Sequence, residues 1–109
     1  MSGRDSGSST SGNAGGAGGA DCSQIRFDTF ISSPLPSAIK QLQPGITLQI
    51  DVFRQNNIET VAVYLNGTAV GGIVDHSSRL LRCIKNGFSY EAFVLSKNGA
   101  QIAIRIEPS

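Results

Sequence analysis

From residue 24 onward the hydrophobic positions follow two periods. Over Gln24 to Ile31, the side chains Ile25, Phe27, Thr29 and Ile31 alternate with Arg26, Asp28 and Phe30. A period of two marks a half-buried strand. Ser32-Ser33-Pro34-Leu35-Pro36 ends it, because proline has no N–H to give to a ladder. Ser37 is placed to cap a single helical turn near residues 37–42, which Pro44-Gly45 stops. Ile46, Leu48, Ile50 and Val52 then share one face of a second strand. Thr47, Gln49 and Asp51 take the other face, and Gln55-Asn56-Asn57 is a polar connection.

Thr60 to Leu65 is a third strand, rich in β-branched residues. Asn66-Gly67 is a strong hairpin signal, since both residues tolerate positive φ. Thr68 to Val74 returns as a fourth strand. Gly71-Gly72 inside it predicts a bulge or a sharp corner. The period changes at Asp75. Leu80, Leu81, Cys83 and Ile84 fall on one arc at about 100° per residue, and Arg79, Arg82 and Lys85 on the opposite arc. A helix over about residues 76–86 follows, with Asp75 or Ser77 as its cap and Asn86-Gly87 as its end. Phe88 to Ser96 and Ala100 to Glu107 are strands five and six, joined by a hairpin at Asn98-Gly99.

The expected fold is mainly β: a small six-stranded barrel or bent antiparallel sheet with one helix and a short helical turn. Domain organisation follows from composition. Residues 1–21 are mostly Gly, Ser and Thr, and their only apolar side chains are Met1 and three Ala. Such a stretch buries too little apolar surface to offset its ordering entropy, so a disordered leader is expected at 1–21 and a single domain at 22–109. No run approaches the ~20 apolar residues of a membrane helix, and no apolar segment follows Met1 as a secretory signal would require. On that footing the expectation is a cytoplasmic chain.

Charge narrows the function classes. Of nine basic and eight acidic residues, Arg4, Asp5 and Asp21 fall in the leader. The domain then carries eight against six, far from the basic excess of a typical nucleic-acid domain. Its one concentrated basic surface is the stripe Arg79, Arg82 and Lys85. That stripe reads as the solvated face of an amphipathic helix, or as a contact to phosphates.

Catalytic and metal chemistry find little to work with. His76 is the only histidine. It lies beside Asp75, Ser77 and Ser78, where helix capping accounts for the residue types better than a hydrolytic triad. The two cysteines, Cys22 and Cys83, have no CxxC spacing and fall short of a closed zinc site. Cys83 is on the apolar arc of the helix, where a free thiol acts as a small hydrophobe. Cys22 precedes the first strand and is within reach of that helix. A bridge between them would close a 61-residue span and stabilise by roughly 4 kcal/mol on the chain-entropy argument. A reducing compartment would keep both as thiols. Asn66-Gly67-Thr68 matches an N-glycosylation sequon, although the hairpin accounts for it and no secretory signal supports it. No cofactor motif is present, and no metal or cofactor is expected.

From Ala38 onward the order of features resembles the HIRAN domain, a small β-barrel module found alone in bacteria and attached to helicase-like proteins. The resembling residues are Leu42-Gln43-Pro44-Gly45, Val61-Ala62-Val63-Tyr64, Gly67, Val70-Gly71-Gly72-Ile73-Val74, Leu80-Leu81, Asn86-Gly87 and Ile102-Ala103-Ile104. Family members carry an acidic-proline segment where this chain has Arg54 to Thr60. They carry a Gly-Tyr-x-Pro turn where it has Gly71 to Val74. The resemblance implies a barrel and, in its nucleic-acid form, binding of single-stranded DNA or DNA ends. Tyr64, Tyr90 or Phe93 would then stack on bases, and Arg54, Arg79, Arg82 and Lys85 would meet phosphates.

Three functions are therefore expected in descending order. The first is a non-enzymatic binding or accessory module for a protein partner, with its site in the cleft beside Gly71-Gly72 and the helix. The second is the HIRAN-like DNA binder. The third is a hydrolase built on His76.

Overall fold

A computed structural model describes residues 22–109, and the expected leader lies outside them. Eight elements follow in chain order: β1 (Phe27–Phe30), a 3-10 turn (Pro36–Gln41), β2 (Thr47–Gln55), β3 (Ile58–Leu65), β4 (Thr68–Ile73), α1 (Ser77–Lys85), β5 (Tyr90–Asn98) and β6 (Gln101–Pro108). The strands form one antiparallel sheet in the order β1-β6-β5-β2-β3-β4. All six expected strands and the helix are present.

Each hairpin is made by the residues its turn geometry demands. Asn56-Asn57 joins β2 to β3 with both φ positive (51° and 65°), and Asn66-Gly67 does the same between β3 and β4 (52° and 84°). Two consecutive left-handed residues match the twist of the flanking strands. The polar connection expected at Gln55-Asn56-Asn57 is thus a second tight hairpin. Between β5 and β6 the turn residues are Gly99-Ala100, with only Gly99 at positive φ, one position later than Asn98-Gly99 implied.

The sheet is bent and is not closed into a barrel. Its two edges, β1 and β4, meet along a short seam instead of a ladder. Ser32 and Gly72 exchange both backbone hydrogen bonds at 2.8 Å, and the Leu35 N–H donates to the Val70 carbonyl at 2.8 Å. Beyond that point only side chains join the edges. The Thr29 hydroxyl donates to the Asp75 carboxylate at 2.6 Å, and the His76 ring meets Phe27 edge-on at 4.7 Å. The prolines at 34 and 36 account for the failed closure, because they interrupt the row of donors where a longer β1 would have paired with β4.

Two bulges add bend. Val63 faces Gly71 while Tyr64 faces Ala69, which makes Val70 the extra residue in β4. Val94 faces Ile104 while Ser96 faces Ala103, which makes Leu95 the extra residue in β5. The first lies directly before Gly71-Gly72, where glycine signalled it.

The core is the concave side of the sheet with α1 packed over it. Leu48, Val61, Val63, Leu80, Ala92, Ile102, Ile104 and Ile106 are almost wholly enclosed. In α1 only Leu80 and Cys83 are buried, and Leu81 and Ile84 are half-buried against the same cluster. Cys22 and Cys83 form a disulfide. Tyr90 is 3% exposed, and its hydroxyl donates to the Cys22 carbonyl at 2.5 Å. Burial pushes its phenol pKa up.

The expected caps are absent. His76 occupies the N-cap of α1 in a left-handed conformation with no side-chain cap, and Leu35 precedes the 3-10 turn. Asp75 is drawn away by Thr29. Proline at the start of the 3-10 turn explains why Ser37 is not needed there, since its fixed φ already suits a helical first position. No helix among the described residues is long and apolar enough to cross a membrane.

Candidate functional site

Strand alternation and the seam together build a groove of 680 Å³ on the outer face of β3 and β4. Its floor is low because the residues there are small: Ala62 faces Gly72 across the β3–β4 ladder, with Ala69 farther along. One wall is the segment Ser32–Pro36, held against β4 by the seam hydrogen bonds. Phe53 and Val74 also line the groove. Leu35 and Val74 keep 40% and 68% of their surface exposed, so both offer apolar area to a ligand. The polar lining is neutral: Ser32, Ser33, Gln55 and Thr60. Among the described residues, not one ionisable side chain lines the groove.

The cleft expected beside Gly71-Gly72 and the helix is therefore bounded by a different element. No residue of α1 lines it, and the opposite wall is the proline-bearing segment after β1. Sequence reading treated Pro34-Leu35-Pro36 as a strand terminator. An exposed leucine between two prolines was the available signal that this segment also presents a surface.

The residues proposed to contact DNA are divided between two faces. Arg54 and Glu59 are cross-strand partners at the end of the β2–β3 hairpin. Glu59 alternates with Val61 and Val63, so it points to the side that α1 covers. There Glu59 accepts from Arg54 and, at 2.6 Å, from Lys85 of α1. These two cations hold its carboxyl down at about 2, with the hydrogen bond from Lys85 the largest cause. Arg54 and Lys85 thus already share a carboxylate. Arg82 is exposed on the same helix, and Arg79 is half-buried. Its charge lowers the Tyr90 pKa in opposition to burial.

Tyr64 lies on the opposite alternation from Val63 and donates its hydroxyl to the Val52 carbonyl at 3.1 Å. Burial, then the charge of Asp51, pushes its pKa up. Tyr90 is enclosed in the core and offers no face for a base to stack on. Phe93 is half-buried on the outer face between Thr47 and Arg105. The structure brings Arg54 and Lys85 together on Glu59, with Arg79 and Arg82 on the same helix as Lys85, and places Tyr64 and Phe93 on the other face of the sheet.

At His76, the neighbouring carboxylate Asp75 bonds to Thr29, and the imidazole packs on Phe27. Among the described residues no three His, Cys, Asp or Glu side chains converge as metal ligands. Comparison with protein-family models, curated proteins and solved structures gives no match.

Proposed function

We propose that the domain is a non-enzymatic binding module and that its ligand is an extended, uncharged segment of a partner protein seated in the β3–β4 groove. The observation that carries this reading is the absence of charge from the groove lining. A phosphate ligand calls for Arg, Lys or a cluster of aimed backbone amides. An apolar floor with neutral hydroxyls and one amide at its rim suits peptide groups and aliphatic side chains instead. A HIRAN-like reading with DNA as ligand would have to use the helix side, where Glu59 engages two of the four cations assigned to phosphates.

Panning a random heptapeptide library on the full chain tests the proposal. Enriched peptides should carry an aliphatic or aromatic anchor and few charges. Their affinity, read by fluorescence anisotropy, should fall at least about tenfold in Leu35→Glu and in Val74→Glu, because each places a charge against an apolar ligand. A labelled single-stranded oligonucleotide at low salt forms the second arm. Oligonucleotide binding that Arg82→Glu abolishes, with no peptide enriched, would replace the peptide reading with the DNA reading.

A further inference from the structure

We propose that Asn66 is an N-glycosylation site, and that the domain matures in a compartment that oxidises thiols. Two independent observations support this. The first is the form of the β3–β4 turn. Asn66, Gly67 and Thr68 are all exposed at the hairpin tip, and open space surrounds Gly67 on its Cβ side. Neither the Asn66 amide nor the Thr68 hydroxyl has a hydrogen-bond partner among the described residues. The hairpin, expected to account for the whole tripeptide, explains only two of its three residues, since only Asn66 and Gly67 sit at positive φ. It does not ask for threonine two residues on. The other Asn-Gly pairs, Asn86-Gly87 and Asn98-Gly99, are followed by Phe88 and Ala100 and match no sequon.

The second observation is the Cys22–Cys83 disulfide, with both cysteines 1% exposed. A buried bond that ties the chain ahead of β1 to α1 is structural in kind. Such bonds form and persist in secretory and other oxidising compartments and are rare in reducing ones. This weighs against the cytoplasmic expectation, which rested on the lack of an apolar segment after Met1. Asn-x-Thr sequons are read in the same secretory compartment. The donor class is an oligosaccharide linked to a lipid diphosphate. The Asn66 Nδ2 bonds to the anomeric sugar carbon, the bond from that carbon to the diphosphate breaks, and the amide loses one proton. The tip accepts such a group without displacing a packed side chain.

The test uses the chain recovered from its native cells. Intact mass before and after peptide N-glycosidase reports the glycan, glycopeptide sequencing places it, and alkylation without prior reduction reports the thiols. The expected result is a glycan on Asn66 and no alkylation of Cys22 or Cys83. An unmodified Asn66 overturns the proposal, and so do alkylated cysteines.

Discussion

Adjacent glycines in β4 should respond oppositely to the same substitution. A Cβ built at Gly71 would stand 2.2 Å from the Ile31 Cγ2, with the Ser32 carbonyl oxygen at 3.3 Å and the Pro34 Cα at 3.5 Å. Ile31 cannot step aside cheaply. It is buried, its β-branched χ1 is stiff, and its N–H donates to the Ile102 carbonyl at 3.0 Å. Gly71→Ala must therefore push the segment after β1 away from β4 and strain the Ser32–Gly72 bridge. Overpacking of this kind costs roughly 1–3 kcal/mol. For a domain of this size that corresponds to a Tm lower by about 5–20 °C.

At Gly72 the nearest atoms to a new Cβ are the Ser32 and Val61 carbonyl oxygens at 3.8 and 3.9 Å, which is ordinary contact. Removing a glycine from the unfolded chain then dominates, and Gly72→Ala should leave stability unchanged or raise it by up to about 1 kcal/mol. Scanning calorimetry on both variants decides the matter. The double variant Gly71→Ala/Ile31→Ala should lose less than the two single losses combined, because removing Cγ2 relieves the clash. Equal destabilisation by the two alanines, or additive losses at Gly71 and Ile31, would refute the seam as the origin of the effect.

Urea melts should show Leu80→Ala costing about 2–5 kcal/mol, since Leu80 is wholly enclosed, and Arg82→Ala costing well under 1 kcal/mol on the solvated side of α1. Reducing the Cys22–Cys83 bond opens a loop of 61 residues and should cost roughly 4 kcal/mol. An unchanged urea midpoint under reducing conditions would count against that value. Lys85 and Arg54 hold the Glu59 carboxyl down at about 2 in the fold, against its ordinary value of 4.5. Because its folded value is depressed, its contribution is fully present above about 4.5 and is lost as pH falls towards 2. Acid unfolding curves of wild type and Glu59→Gln should therefore converge in that window, and curves that stay parallel to pH 2 would remove Glu59 as the cause.

The fold was legible because its signals were local and redundant. Alternation in β2, β5 and β6 put Leu48, Ala92 and Ile104 on the buried face, and the Asn-Gly pair between β3 and β4 set that hairpin. Barrel closure was not legible, because it depends on whether the residues after β1 can donate to β4 over a distance of some forty positions in sequence. The two prolines carried that information only as a strand end. The Asp75 cap failed for a similar reason: Thr29, a non-local competitor, accounts for the carboxylate.

The candidate sites were legible in part, and the reason lies in pairing. Sequence weighs each cation alone, so the DNA-binding form of the HIRAN resemblance could assign Arg54, Arg79, Arg82 and Lys85 to phosphates without regard to their partners. The β2–β3 register sets Glu59 opposite Arg54, and the packing of α1 on β3 then brings Lys85 to the same carboxylate. One acidic residue shared by Arg54 and Lys85 changes both the net charge and the geometry available to a phosphate there. The groove on the other face was hidden for the opposite reason. Its floor consists of residues that contribute little side chain, Ala62, Ala69 and Gly72, and a site made by missing volume leaves only small residues in the sequence. Such a floor becomes readable once a neighbouring segment is known to stand over it. Here Ser32–Pro36 does so, fixed by two backbone hydrogen bonds at Ser32 and one at Leu35. The contacts that hold the segment after β1 against β4 are therefore also the ones that give the groove its wall.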